Sequence, residues 1–171
     1  DAVIIAAFGD PGLIAARELF NIPIIGLGEA AMLSACLFGK KFSIISFTNA
    51  MSSWYEESVE VLGLQPRYAG FRAIEGVVLS IDQIQSLQKD ALINSAKKAV
   101  EIDGGDVIIF AGAPLSGFKK MVQSEINVPI IDCAEAAVKQ AELAIAMNSK
   151  AHESKKLPPK ISTGVEKELA D

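Results

Sequence analysis

Asn21-Ile22-Pro23-Ile24-Ile25, four residues before Glu29-Ala30-Ala31, returns as Asn127-Val128-Pro129-Ile130-Ile131, four residues before Glu135-Ala136-Ala137. Each copy is a short apolar run that leaves a proline and feeds a helical pattern, which reads as a buried strand followed by a helix. Upstream of each lies a second matching run that opens on an aspartate. These are Asp1-Ala2-Val3-Ile4-Ile5-Ala6-Ala7 and Asp106-Val107-Ile108-Ile109-Phe110-Ala111-Gly112. The chain therefore holds two related β-α-β-α units. Strands alternating with helices give an α/β fold with parallel sheets, and in such folds ligands bind beyond the carboxyl ends of the strands. Two units packed face to face form one cleft between equivalent strand ends, where groups reach a ligand from opposite sides.

Outward from the repeat, strands are expected over residues 2–8, 22–27, 42–47, 68–72, 106–111 and 128–132, and helices over 11–20, 29–38, 52–62, 80–103, 117–126 and 134–147. Asp10 and Pro11 read as N-cap and first residue of the first helix, and Gly39 as a helix stop. From Asn148 onward Lys, Ser and Pro dominate without periodicity, the composition of a disordered tail. A chain that opens at Asp1 directly into a strand reads as a piece of a longer protein, with a preceding strand and helix outside it.

The 171 residues are 50% hydrophobic and 22% charged, enough apolar content for a sizeable core. Net charge is -5, with Lys and Arg scattered, so no nucleic-acid surface is indicated. Apolar runs are too short for a membrane span and no basic n-region leads into an apolar h-region, so the reading is a cytoplasmic protein that binds a small molecule. The 2 cysteines, Cys36 and Cys133, lack the spacing of a metal site or a disulfide framework. No cofactor and no metal are expected, and self-association into a homo-oligomer is compatible with the class.

The chemistry-bearing residues cluster after the strands. Phe8-Gly9-Asp10-Pro11-Gly12 is a candidate carboxylate-binding turn, because its glycines let backbone N–H groups approach an anion; Asp10 serves equally well as a helix cap. Ser46, Thr48 and Asn49 end the third strand with hydroxyl and amide groups suited to a carboxylate. Gly112, Ala113 and Pro114 form the turn equivalent to Phe8-Gly9-Asp10, and Asp132 with Cys133 marks another strand end. Cys133 is a packing residue or a reactive thiol. Gly26-Leu27-Gly28-Glu29-Ala30-Ala31 fits the dinucleotide fingerprint, but no acidic residue ends the next strand and the second copy has Asp132 and Ala134 in place of the glycines. The repeat explains that segment better.

Together, Asp1 to Leu13, Ala15-Ala16-Arg17-Glu18, Ile22 to Gly26, Glu29-Ala30-Ala31-Met32, Phe42-Ser43-Ile44-Ile45, Val128 to Asp132 and Ala136-Ala137-Val138-Lys139 resemble the hydantoin/allantoin racemase branch of the aspartate/glutamate racemase superfamily. The resemblance covers most of residues 1–147. It implies two pseudo-symmetric Rossmann-like lobes with an interlobe cleft. The first lobe would hold residues 1–41 and the second 42–127, with the strand and helix of 128–147 returning toward the first and 148–171 as tail. It also implies cofactor-independent racemisation at the carbon next to a carbonyl in an amino-acid derivative or cyclic ureide. Two family cysteines, one per lobe, act there as acid and base. Those positions fall on Ala7 and Gly112, whose side chains cannot move a proton. Asp10, Cys133 or a bound water is then left as the acid or base of an isomerase. The other reading is a non-catalytic binder or altered-reaction relative that keeps the pocket.

Overall fold

A computed structural model describes residues 1–74 and 83–147. The strands are β1 (Val3–Ile5), β2 (Ile24–Gly26), β3 (Phe42–Ser46), β4 (Tyr68–Ala73), β5 (Val107–Phe110) and β6 (Ile130–Asp132). The α-helices are α1 (Leu13–Leu19), α2 (Leu27–Ala35), α3 (Ser52–Val61), α4 (Ile84–Leu87), α5 (Lys89–Glu101), α6 (Lys119–Val122) and α7 (Cys133–Met147). All strand pairs are parallel. β1 and β2 form one sheet and β4-β3-β5-β6, in that order, another. The architecture is the α/β fold with parallel sheets that strand–helix alternation predicts.

The apolar runs of β3 and β5 are buried throughout, and side-chain alternation sorts them onto two faces. Phe42, Ile44, Val107, Ile109 and Ala111 pack with Phe8, Leu27, Met32, Tyr55 and Cys133 in one core. Ile45, Ile108, Phe110 and Ile130 face the other, with Leu92, Ile93, Ala96 and Phe118. β1 and β2, with α2 and α7, cover the first face, whereas α5 and α6 cover the second.

Several boundaries differ from expectation. β1 is only three residues long, and α1 starts at Leu13 because Asp10 (φ 49°) and Gly12 (φ 74°) turn the chain first. Asp10 does not cap α1. The helix expected over 80–103 divides, within the described residues, at Gln88 (φ −119°) into α4 and α5; its start at residues 80–82 lies outside them, as does the tail of 148–171. Strand 128–132 does not return to the first unit as expected. Ile108, Ile109 and Phe110 pair with Ile130, Ile131 and Asp132, so β6 extends the four-stranded sheet, and it is α7 that packs back on α2 and β2. With β5 apolar on both faces, a parallel neighbour satisfies its open edge.

At the amino ends of the strands, one guanidinium closes the α2–β3 connection. Arg67 donates to the carbonyls of Cys36, at the C-cap of α2, and of Gly39 and Lys40 in the turn that follows. Asp106 accepts the N–H groups of Lys40 and Lys41 at 2.9 Å each. This leaves the carboxyl ends of the strands as the open end of the molecule.

Candidate functional site

A cleft of about 760 Å³ opens where β1, β3, β4 and β5 end. Ala6, Ala7, Phe8 and Gly9 follow β1; Phe47, Thr48, Asn49 and Met51 follow β3; Ile74 follows β4; Gly112, Ala113 and Pro114 follow β5. Trp54 and Tyr55, from the first turn of α3, complete the wall. Residues more than 100 positions apart in sequence meet because parallel strands direct all their carboxyl ends to one side.

Of the residues expected to bind a ligand, Phe8, Gly9, Thr48, Asn49, Gly112, Ala113 and Pro114 line this cleft, and Ala7 does so beside them. Asp10, Ser46 and Asp132 are not in its wall. Asp10 accepts the N–H groups of Gly28 at 2.9 Å and Glu29 at 2.7 Å, and lines a separate cavity of about 200 Å³ that shares Gly9 and Trp54 with the cleft. Burial raises its pKa, opposed by those backbone donors. A carboxylate so engaged, outside the cleft wall, is a helix cap for α2 rather than a base. Asp132 has the same task in the second unit, accepting from Glu135 N–H at 3.0 Å and from Gly117 N–H.

The pair of aspartates also accounts for the glycines of the apparent dinucleotide fingerprint. A Cβ on Gly26 would lie 2.5 Å from the Asp10 carboxyl carbon, and one on Gly28 would collide with the Phe8 carbonyl. The α2 amides that would face a pyrophosphate are already occupied by Asp10. Glu29 and Glu135 are structural too. Arg17 holds Glu29 through two bonds of 2.9 Å, and Lys119 reaches Glu135 at 3.3 Å, tying α1 to α2 and α6 to α7.

Cys133 is fully buried, and its thiol donates to the Phe110 carbonyl at 2.8 Å. Burial pushes its pKa up to about 12, with the Gly112 amide N–H approaching the sulfur as the chief opposing influence. Of the two readings of Cys133, burial favours the packing residue over the reactive thiol: a group that holds its proton this tightly is not a nucleophile or base at neutral pH. Gly112 itself adopts φ 104°.

The residues that sequence reasoning does not single out are Trp54 and Tyr55. Tyr55 is the one ionisable side chain among the described residues of the cleft wall. Its ring packs edge-on against Phe8 (centroids 4.8 Å apart) and Phe71 (6.1 Å). Burial raises its pKa, so the phenol is neutral and available as a donor. The available signal is its place one turn into a helix that follows a strand end, a position that reads equally well as core. Among the described residues no group of His, Cys, Asp and Glu is arranged to hold a metal, and no helix is long and apolar enough to cross a membrane.

The sequence profile of the Asp/Glu/hydantoin racemase family matches residues 1–141. A hydantoin racemase of Paenarthrobacter aurescens is 34% identical over 147 residues, covering 86% of this chain and 62% of that protein. The chain thus spans less than two thirds of the length of this relative. Among solved structures, allantoin racemase from Klebsiella pneumoniae superposes with a TM-score of 0.81 at 30% identity, over 94% of this chain and 69% of that one. Allantoin racemase from Pseudomonas fluorescens gives 0.82 at 26% identity, over 91% and 66%. With the family profile matched over residues 1–141, the chain belongs to the Asp/Glu/hydantoin racemase family.

Proposed function

We propose that the cleft binds an amino-acid derivative or a hydantoin- or allantoin-like ureide, and that the chain is an isomerase-type member of its family acting at the carbon beside a carbonyl. The observation that carries this reading is the position of Ala7 and Gly112. They follow β1 and β5, and both line one cleft, as the two proton-transfer positions of a racemase would. Racemisation removes a proton from one face of a carbon and delivers one to the other, so paired positions in one cleft suit it.

The same observation favours a second reading. Ala7 and Gly112 offer a methyl group and a hydrogen, Cys133 keeps its proton and Asp10 caps α2. A cleft without a proton-transfer pair suits a binder or a relative with an altered reaction. Small size, an apolar wall and a few polar groups are what either requires.

The experiment uses the enantiomers of 5-benzylhydantoin and of allantoin with the protein in D2O, following loss of the proton on the stereogenic ring carbon by NMR and binding by calorimetry. Exchange above the buffer rate supports the isomerase. Binding without exchange supports the second reading, and absence of binding rejects this ligand class.

A further inference from the structure

One hydroxyl group beneath the cleft is used neither by the cap network nor by the backbone. Ser46, the last residue of β3, is fully buried, and its Oγ has no hydrogen-bond partner. By strand alternation it shares the face of Phe42 and Ile44, which looks into the core that holds Phe8, Tyr55 and Cys133. Tyr55 arrives there from α3, with its ring fixed between Phe8 and Phe71, and it also lines the cleft. Ser46 and Tyr55 thus enter the same core from β3 and α3. A buried hydroxyl left unpaired is costly, and native structures place few of them without a reason.

We propose that the Tyr55 hydroxyl, backed from below by that of Ser46, forms the hydrogen-bonding floor of the cleft and receives a carbonyl or carboxylate oxygen of the bound small molecule. The proposal rests on the reading of the cleft as a site for such ligands. Three features support it. The remaining side chains of the wall are apolar apart from Thr48, Asn49 and the indole N–H of Trp54, and Thr48 Oγ1 already accepts the Ala50 N–H. The phenol is neutral, because burial disfavours its anion, and a neutral phenol donates. The ring clamp lets Tyr55 hold its direction before a ligand arrives, and preorganised donors are strongest toward an oxygen on which charge develops. Tyr55 is thus a ligand-contacting residue, whereas Ser46 acts beside it.

The test compares the parent with Tyr55→Phe, Ser46→Ala and Tyr68→Phe, by thermal unfolding and by calorimetric binding of two probes, benzoate and 5-benzylhydantoin. Tyr68 opens β4 and carries another unpartnered buried hydroxyl, but at the opposite ends of the strands. Ser46→Ala and Tyr68→Phe should each raise the unfolding midpoint by about 2–4 °C, since each removes an unpaired buried group. Only Tyr55→Phe and Ser46→Ala should lose affinity. Tyr55→Phe should weaken benzoate by about 10- to 100-fold and the uncharged hydantoin by about 2- to 10-fold, reflecting the strength of hydrogen bonds to charged and neutral acceptors.

A Tyr55→Phe variant that binds both probes as the parent does overturns the floor while leaving the ligand class of the cleft intact. A parent that binds neither probe overturns the ligand class, and the assignment of this floor with it. A Ser46→Ala variant that unfolds at a lower temperature than the parent shows that the hydroxyl is satisfied within the protein, which also overturns the proposal.

Discussion

Cys133 and Cys36 differ in exposure in a way that their surroundings in the sequence do not announce. Cys133 follows a strand end, where reactive groups gather, yet its side chain points down into the core and donates to Phe110. Cys36 stands among Leu33, Ala35 and Leu37, yet it sits at the C-terminal cap of α2 and is partly exposed. Iodoacetamide at pH 8 should therefore label Cys36 in the native protein well before Cys133, with mass spectrometry of peptides as the readout. Faster labelling of Cys133 would contradict its burial. The same thiol carries a pH signature. Its pKa rises from the ordinary 9.0 to about 12 on folding, so the folded chain holds the proton more tightly than the unfolded chain. The stabilisation is fully present below pH 9 and is lost as pH rises toward 12. Cys133→Ala should flatten that alkaline loss, measured by urea unfolding between pH 7 and 11. Side-chain direction at the end of a strand is what decides these roles, and no residue pattern encodes it.

At the scale of elements, the two repeats solve one problem with aspartates from different places. Each must tie a β-α turn to the amino end of the next helix. In the first unit Asp10 reaches across from the turn to the Gly28 and Glu29 amides; in the second, Asp132 at the end of β6 joins the Glu135 amide to Gly117. The repeat aligns Gly26 with Asp132, and Gly26 is small because the Asp10 carboxylate fills the space of a side chain there. Its φ of −83° and ψ of 140° suit any residue. Asp10→Ala should then cost about 1–2 kcal/mol, the value of a helix cap, read from the urea midpoint. Adding Gly26→Asp to Asp10→Ala should restore part of that loss, because the new carboxylate meets the Glu29 amide as Asp132 meets that of Glu135. Gly26→Asp alone should destabilise, since it drives a carboxylate into Asp10. A double variant no more stable than Asp10→Ala would show that the two units are not interchangeable here. The repeat itself is legible in the sequence, but the crossing of partners between its copies is not, because Asp10 at φ 49° reverses a direction that Asp-Pro at a helix start predicts.

Across the whole molecule, the cleft follows from topology. Parallel strands end together, so the segments after β1, β3, β4 and β5 converge, and the alternation of strands and helices suffices to name Phe8, Gly9, Thr48, Asn49, Gly112, Ala113 and Pro114 as its wall. Trp54 and Tyr55 are not legible in the same way. They lie on α3, where an aromatic residue at helical spacing is ordinarily core, and Tyr55 belongs to the core as well as to the cleft. Ser46 is legible as a strand end but not as a group lying below the wall. Convergence also makes the central question of chemistry testable, because Ala7 and Gly112 share the cleft without supplying a proton. Ala7→Cys and Gly112→Cys together should create or raise deuterium uptake at the ring carbon of 5-benzylhydantoin, whereas either alone should give much less. Each acid–base group contributes about 10²- to 10⁴-fold, and removal on one face needs delivery on the other. There is space for the second thiol. A Cβ on Gly112 would meet Phe47 at 3.5 Å and Pro114 at 3.6 Å, ordinary contacts, but φ of 104° strains any side chain there by about 1–3 kcal/mol. The double variant should therefore unfold at a lower temperature than the parent while remaining folded at 25 °C, which thermal unfolding checks before activity is read. A folded double variant that binds 5-benzylhydantoin and exchanges no ring-carbon proton would place the stereogenic carbon outside the line between positions 7 and 112, and the cleft would then be that of a binder.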